Sequence, residues 1–265
     1  MLPPLTSIPL NITDQMGRRV AVPFPPQRIV SLVPSQTELL FDLGLGEKVV
    51  GVTKFCTHPA EARTKATVIG GTKNHHFDTI AALKPDLILG NKEENYQAGI
   101  EQLVANYPVW LSDISNLTQA LDMIRRVGFI AGAKEKADAM ATEIDASFAA
   151  LAVGETTVSA AYFIWRKPYM VAATGTFIDD MLRRAGFTNV FADQARYPET
   201  SAEQLAAAAP RRILLSSEPY PFGAKHLAEF QAICPAAKIE IVDGELFSWY
   251  GSRLLQSAAY FSQLR

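Results

Sequence analysis

The stretch that decides the fold is LTQALDMIRRVGFIAGAKEKADAMATEIDASFAAL, which occupies residues 117–151 of this 265-residue chain. Its apolar side chains recur every three or four residues, as one face of an α-helix requires. They are Leu121, Ile124, Val127, Ala131, Ala137, Met140, Ile144, Phe148 and Leu151. Gly128 and Gly132 interrupt the pattern, because each glycine costs a helix about 1 kcal/mol relative to alanine. The stretch therefore predicts two helices that meet near Gly132, the second from about Lys134 to Leu151.

Short apolar runs alternate with helical patterns on both sides of this stretch. The predicted strands are Ile29–Leu32, Val49–Thr53, Leu87–Leu89, Val109–Leu111, Val158–Ile164 and Lys238–Val242. The predicted helices include Phe77–Leu83, Ile100–Asn106, Phe177–Ala185 and Ser252–Leu264. Alternation of this kind indicates an α/β fold with mainly parallel sheets flanked by helices.

Two local patterns refine this prediction. Ala82–Leu89 and Ala208–Leu215 each combine a helix end, a proline stop and a buried strand, which indicates two lobes of related architecture. Ser35 and Glu38 have the Ser-x-x-Glu spacing of a capping box, which predicts a helix that begins there.

The predicted domains follow from these elements. They are an N-terminal arm or hairpin at residues 1–27, an N-terminal α/β lobe at 28–132, a backbone helix at 133–152 and a C-terminal α/β lobe at 153–265. Loops at the carboxyl ends of parallel strands bind ligands in open α/β sheets, so the expected site is a cleft between the lobes. Taken alone, the second helix of the deciding stretch is either a rigid strut between the lobes or an ordinary crossover helix. A rigid strut predicts only a small closure on binding.

Composition excludes several classes of function. The formal net charge of -2 gives no polybasic signature, so neither nucleic acid nor an anionic membrane surface is expected as a partner. The sequence contains no run of eighteen apolar residues, so no membrane-spanning helix is predicted. Met1–Leu5 lacks the basic and apolar regions of a secretory signal, so none is expected in this sequence. Cys56 and Cys234 are expected to be packed side chains rather than a disulfide.

Three motifs together resemble the cobalamin and iron-siderophore binding proteins of ABC importers. They are RIVSLVPSQTEL at residues 28–39, VGVT at 50–53 and ALKPDLI at 82–88, followed by the glycine-containing helical joint. The resemblance runs from about Asp14 to the C-terminus. It implies a two-lobed, monomeric receptor that binds a corrinoid, haem or ferric siderophore and delivers it to a membrane permease. It also implies an extracytoplasmic location, periplasmic or lipid-anchored, with no catalysis and no intrinsic cofactor.

The resemblance also implies site residues. Phe55 and Tyr197 match aromatic positions of the corrinoid cleft, whereas Thr72 and Asn91 stand where cobalamin binders carry tryptophan, which leaves other chelates open. The complete set of predicted ligand-binding residues is Ser35, Phe55, Thr72, Lys73, Asn91, Trp165, Arg166, Tyr197, Trp249, Tyr250 and Arg253. The arginines in this set are expected to face ligand carboxylates or phosphate.

Two carboxylates match the positions that dock with permease arginines, namely Asp78 and Glu203. Both lie in the first turn of a predicted helix, where a negative charge also stabilises the helix dipole. A purely structural role is therefore the alternative for both residues.

Two other functions are open from the residues alone. His75 and His76, with His58, suggest direct binding of zinc or manganese, although adjacent side chains on an extended segment point to opposite sides. The same two histidines are candidate axial ligands of a bound haem or cobalt.

An enzyme is the less favoured alternative, because the chain contains no dinucleotide-binding glycine motif, no phosphate-binding loop and no hydrolase nucleophile elbow.

Overall fold

The computed structural model describes residues 9–151 and 157–264. Met1–Leu5, where no secretory signal is expected, lie outside these ranges, as does the predicted boundary between residues 152 and 153. Within the described residues, none of the helices is both long enough and apolar enough to cross a membrane. Cys56 and Cys234 are buried free thiols, as predicted.

The chain forms two compact units, described here separately. Unit 1 contains the described residues through Asp113, together with Thr118–Ile144 and Tyr250–Arg253. Unit 2 contains Ile114–Leu117, Asp145–Trp249 and the described residues from Leu254 onward. The division therefore falls inside the second predicted helix, and a short segment near the C-terminus belongs to unit 1.

Unit 1 begins with the predicted hairpin and continues with alternating strands and helices. Its strands are β1 (Leu10–Thr13), β2 (Arg19–Val22), β3 (Ile29–Ser31), β4 (Val49–Val52), β5 (Thr67–Val68), β6 (Gly70–Gly71), β7 (Asn74–His75), β8 (Leu87–Asn91) and β9 (Val109–Ser112). Its helices are α1 (Pro34–Asp42), α2 (Ala62–Lys65), α3 (Phe77–Leu83), α4 (Gln97–Val104), most of α5 (Leu117–Ala131) and most of α6 (Lys134–Ala149).

The central sheet of unit 1 is parallel throughout, in the order β5-β4-β3-β8-β9. Its strands are nearly continuous apolar runs because helices cover both faces of such sheets. The hairpin is fixed at the β9 edge, where the Leu111 N–H donates to the Asp14 carboxylate and the Gln15 N–H donates to the Leu111 carbonyl. Because the five strands are parallel, their carboxyl ends lie at one edge of the sheet. Phe55 follows β4 at this edge, and Asn91 ends β8.

The joint between α5 and α6 explains both glycines of the deciding stretch. Gly132 has φ +83°, a left-handed conformation that ends α5. A Cβ atom added at Gly128 would lie 2.1 Å from the Cβ of Ala137, so the two helices approach each other closely at this glycine. The second helix ends at Ala149, two residues before the predicted end.

Unit 2 shows the same alternation of strands and helices. Its strands are β10 (Val158–Trp165), β11 (Tyr169–Val171), β12 (Phe187–Asn189), β13 (Glu199–Thr200), β14 (Arg212–Ser216) and β15 (Lys238–Val242). Its helices are α7 (Phe177–Arg184), α8 (Ala202–Ala208), α9 (Leu227–Ile233), α10 (Gly244–Ser248) and α11 (Leu254–Gln263). The last of these begins two residues later than predicted.

The sheet of unit 2 is mixed, in the order β13-β11-β10-β14-β15. β10, β12, β14 and β15 pair in parallel, whereas β11 and β13 form an antiparallel edge. Short antiparallel edge strands are common on otherwise parallel sheets. The predicted fold class, α/β with mainly parallel sheets, is confirmed.

The internal repeat is visible in the backbone. Lys84 and Ala209 both adopt left-handed φ angles, 47° and 43°, at the ends of α3 and α8. The next residue in each case is a proline, Pro85 or Pro210, and a buried strand follows each proline. β8 lies beside β3, and β14 lies beside β10, so the repeated segment provides an interior strand in both sheets.

Candidate functional site

Among the described residues of unit 1, Phe55 is the most exposed large apolar side chain, with 50% of its surface accessible. It lies in the loop after β4, and this loop is held by a hydrogen bond of 2.8 Å from the Lys54 N–H to the Gly70 carbonyl. The ring rests on Gly71, where an added Cβ would lie 3.2 Å from the Phe55 Cε2 atom. The absence of a side chain at position 71 thus lets the aromatic ring approach the backbone closely.

Thr72 and Lys73 form the turn between β6 and β7, with Thr72 half-buried and Lys73 exposed. Asn95 anchors this turn, because its side-chain amide donates to the Thr72 carbonyl at 3.0 Å and to the Leu32 carbonyl at 3.3 Å. One buried amide therefore links the turn to the loop that follows β3. Sequence reasoning missed Asn95, since no local pattern marks a side chain that bonds across 63 residues.

Asn91 is buried at the end of β8 and is engaged within unit 1. Its amide group donates to the carbonyl and to the hydroxyl of Ser112, at 3.3 and 3.0 Å. Its carbonyl oxygen accepts the N–H groups of Glu93 and Glu94, at 2.8 and 3.1 Å. These bonds shape the loop after β8; a direct contact of Asn91 with a ligand stays a prediction.

The start of α1 differs from the sequence prediction. The helix begins at Pro34, and its N-cap residue, Val33, makes no side-chain capping bond. The capping box of Ser35 and Glu38 is therefore wrong, because a proline at the first position already starts the helix. Ser35 lies instead in the first turn, 2% exposed.

Glu38 pairs with Arg253, a partner 215 residues away. The guanidinium donates through Nε at 3.0 Å and through Nη2 at 2.5 Å to the two carboxylate oxygens, a bidentate geometry. The two side chains are only 11% and 12% exposed. Burial raises the pKa of Glu38 despite the opposing effect of Arg253. The charge of Arg253, predicted to face a ligand, is thus already paired inside unit 1.

Tyr250 is also engaged within unit 1. Its hydroxyl donates to the Glu94 carboxylate, and burial, together with that carboxylate, raises the pKa of Tyr250 well above its usual value. The neighbouring Gly251 lies against α1, where an added Cβ would be 2.6 Å from the Ser35 carbonyl oxygen. Tyr250–Arg253 therefore pack onto the start of α1, and ligand contact by Tyr250 or Arg253 stays a prediction.

The two adjacent histidines differ in environment. His75 is 4% exposed, its ring centre lies 5.2 Å from that of Tyr96 and 6.2 Å from that of Phe77, and burial lowers its pKa. His76 is exposed immediately before α3. In the part of the chain that the structure describes, no cluster of three or more His, Cys, Asp or Glu side chains is arranged to hold a metal ion. An axial role for either histidine stays a prediction.

In unit 2, Trp165 ends β10 with 39% of its surface exposed. Its ring lies edge to face with that of Tyr220, at 5.6 Å between centroids. Arg166 is paired with Glu229, with Nε to Oε2 at 2.9 Å, and the Tyr169 hydroxyl donates to the same carboxylate. Burial alone would raise the pKa of Glu229, but these hydrogen bonds hold it below its usual value. The ring of Trp165 is thus accessible to a ligand, whereas the charge of Arg166 is paired with Glu229.

Trp249 is only 7% exposed and is fixed by a glutamate that sequence reasoning missed. Its Nε1 atom donates to Glu218 at 3.0 Å, and the Ser248 hydroxyl donates to the same oxygen at 2.6 Å. Burial raises the pKa of Glu218, although both hydrogen bonds act in the opposite direction. The contacts give Trp249 a structural role in unit 2, and its role in ligand binding stays a prediction.

Tyr197 is half-buried before β13, beneath the guanidinium of Arg196. The Arg196 Cζ atom lies 5.8 Å from the ring centroid, and Nη1 donates to the Gly175 carbonyl at 2.8 Å. Arg196 has φ +67°, a left-handed conformation that is uncommon outside glycine. The ring predicted to contact the ligand is therefore held beside a cation.

The two predicted docking carboxylates are both exposed in the first turn of a helix, Asp78 in α3 and Glu203 in α8. A hydrogen bond with the Ser201 side chain and one with its own backbone lower the pKa of Glu203, so the side chain stays negatively charged. Both carboxylates are exposed, as docking to a permease would require. Their positions are equally compatible with stabilisation of the helix dipole.

Comparison with known proteins gives consistent matches. The sequence profile of the family described as periplasmic binding protein matches residues 29–237. A vitamin B12-binding protein of Pectobacterium carotovorum subsp. carotovorum is 29% identical over 241 residues, with 88% of this chain and 86% of that protein covered. An uncharacterized ABC transporter substrate-binding lipoprotein of Bacillus subtilis is 30% identical over 223 residues, with 78% and 68% covered. A periplasmic heme-binding protein from Roseiflexus sp. RS-1, solved in apo form, has a TM-score of 0.79 at 26% identity, with 89% and 97% covered.

The profile match runs from β3 in unit 1 to the residue before β15 in unit 2. It therefore includes the loops that carry Phe55, Trp165 and Tyr197 as well as the repeated strand segments. The matches agree with the three motifs that gave the resemblance, and the chain belongs to the periplasmic binding protein family.

Proposed function

We propose that the chain is the solute-binding component of an ABC importer and that its cargo is a corrinoid or an iron chelate such as haem or a ferric siderophore. The observation that carries the proposal is that two aromatic side chains are exposed in a member of this family. Phe55, in the loop after β4, is 50% exposed, and Trp165, at the end of β10, is 39% exposed. Exposed rings that the fold holds in place are suited to stacking on a flat, partly apolar ligand. The printed names of similar proteins, vitamin B12-binding and heme-binding, support the same class of cargo.

In this role the chain binds its ligand and releases it unchanged to a membrane permease. The metal chelate is cargo, so the proposal requires neither a catalytic residue nor an intrinsic cofactor. We place the protein outside the cytoplasm, in the periplasm or on a lipid anchor, and the similarity to a substrate-binding lipoprotein supports this location. A monomer is sufficient for the function.

The test is the visible absorption spectrum and the native mass of the protein purified from its own host. The expected result is one bound chelate per chain, seen as a corrin or porphyrin absorption band or as the mass of a ferric siderophore. Protein that carries no chelate and shows no thermal stabilisation by any of the three classes would contradict the proposal, because binding to the native state raises its stability.

The proposal includes docking of Asp78 and Glu203 with cationic side chains of the permease. Replacing both in the variant D78K/E203K should abolish uptake in whole cells and leave the affinity for the ligand unchanged. The matched control is E61K/D193K, which makes the same charge change at two exposed carboxylates, one in each unit. Uptake that is equal in the two double variants would reject the docking assignment and leave the binding function intact.

A further inference from the structure

The cation of unit 1 that is available to a ligand differs from the arginine predicted from the sequence. Arg253, the arginine predicted for this unit, is buried and paired with Glu38. Lys54 is exposed, and within residues 9–151 and 157–264 it makes no ion pair with a carboxylate. Its ammonium group is therefore available to an anionic group of a ligand.

Lys54 is held in position by contacts of its backbone and its stem. Its N–H donates to the Gly70 carbonyl at 2.8 Å, and its carbonyl accepts a hydrogen bond from Arg63 Nη1 at 3.3 Å. An added Cβ at Gly71 would lie 3.6 Å from the Lys54 Cε atom, so the side chain passes over the same glycine that supports Phe55. Among the described residues, the ammonium group has no carboxylate partner.

The ammonium group lies over the exposed ring of Phe55, with Nζ 5.0 Å from the ring centroid. A cation–π contact at an exposed site is weaker than a charge-assisted hydrogen bond to a carboxylate. A flat ligand that stacks on Phe55 would bring its rim to the ammonium group, and a carboxylate on that rim would capture it. A neutral amide at the same place would gain much less.

We propose that Lys54 is a specificity-determining residue, which makes the chain prefer a flat chelate with peripheral carboxylates over one whose periphery is neutral. The inference rests on the proposed function and narrows its ligand class. Phe55 supplies stacking that does not depend on the periphery of the ligand, and Lys54 adds the discrimination. The two contributions are separable, because they act on different parts of the ligand.

The experiment compares haemin, haemin dimethyl ester and dicyanocobinamide in equilibrium titrations followed by absorbance. The first two share the iron and the ring but differ in the charge of the two peripheral carboxyl groups, and the third has a neutral amide periphery. Wild-type protein should bind haemin about two- to fivefold more tightly than the dimethyl ester, as an exposed ion pair predicts. K54M should remove most of this preference, and K54R should retain it.

Two further variants serve as controls. K65M removes the same charge from another exposed lysine of unit 1, and it should leave the preference unchanged. F55L should weaken haemin and its dimethyl ester by the same factor, because stacking does not distinguish them. Far-UV circular dichroism should show the wild-type spectrum for all four variants, since each substitution is at an exposed side chain.

The outcomes separate this inference from the proposed function. Equal affinity of the wild type for haemin and its dimethyl ester would overturn the inference, as would tighter binding of cobinamide or a preference that K54M retains. Any of these results would leave a chelate-binding function in place. Absence of binding by all three probes, and by a ferric siderophore, would overturn the proposed function as well.

Discussion

Replacing Arg253 by methionine should destabilise unit 1 by about 3–5 kcal/mol at pH 7, because it leaves the Glu38 carboxylate buried without its cation. The magnitude follows from the exposure of the two side chains, 11% and 12%, and from the two hydrogen bonds that join them. The free energy of unfolding from urea titrations, followed by far-UV circular dichroism, measures the loss. K65M is the control, because its partner Glu47 is 89% exposed and such pairs contribute about 0–1 kcal/mol.

Two comparisons make this prediction specific to the ion pair. The variant E38M/R253M should recover most of the loss, because two apolar side chains leave no buried charge. The destabilisation of R253M should also shrink as the pH falls from 7 to 5, because burial raises the pKa of Glu38 and protonation removes the unpaired charge. A loss below about 0.5 kcal/mol, or a double variant as unstable as R253M, would refute the reasoning.

Three further predictions concern single positions. G128A should destabilise the chain by about 1–3 kcal/mol, because the added Cβ would lie 2.1 Å from the Cβ of Ala137. This loss should exceed the gain of about 1 kcal/mol that alanine gives a helix relative to glycine. A urea midpoint higher than that of the wild type would contradict the close approach of the two helices. Burial raises the pKa of Glu218, so wild-type stability should fall as pH rises above 4.5, and E218Q should lack this fall in urea titrations. Burial lowers the pKa of His75, so wild-type stability should fall as pH decreases below 6.5, and H75F should show a smaller decrease between pH 7 and 5.

Helices and interior strands were predictable because their signals are local. The three- and four-residue spacing predicted α5 as Leu117–Ala131 and placed the start of α6 at Lys134, and the structure confirms both. The arm or hairpin expected at the N-terminus contains two antiparallel strands, Leu10–Thr13 and Arg19–Val22. The antiparallel edge of unit 2 was not predicted, because strands of two or three residues carry too little periodicity to show their pairing.

The two glycines of residues 117–151 correctly marked the joint between the helices, but their structural roles were only partly predicted. Gly128 and Gly132 were interpreted only as helix interruptions. The structure shows that Gly132 ends α5 with a left-handed backbone, whereas Gly128 lies inside the helix and allows close contact with Ala137. A helix propensity cannot distinguish these roles, because the second depends on a neighbouring helix.

The candidate site was predictable in its loops but not in its contacts. The resemblance selected Phe55, and the position of Trp165 after an apolar strand selected that residue. The structure shows both rings exposed, Phe55 in the loop after β4 and Trp165 at the end of β10. The same reasoning expected Arg166 and Arg253 to face a ligand, yet their carboxylate partners lie 63 and 215 residues away in the sequence. Pairing over such distances is decided by the tertiary fold and leaves no local pattern.

The most direct test of the account is a titration of the ligand-free protein with haemin, dicyanocobinamide and a ferric siderophore, followed by intrinsic tryptophan fluorescence. We expect at least one of the three to bind saturably at one molecule per chain, with a dissociation constant of about 1 µM or lower. Failure of all three to bind saturably at this level would contradict the claim that the chain is a receptor for a corrinoid or an iron chelate.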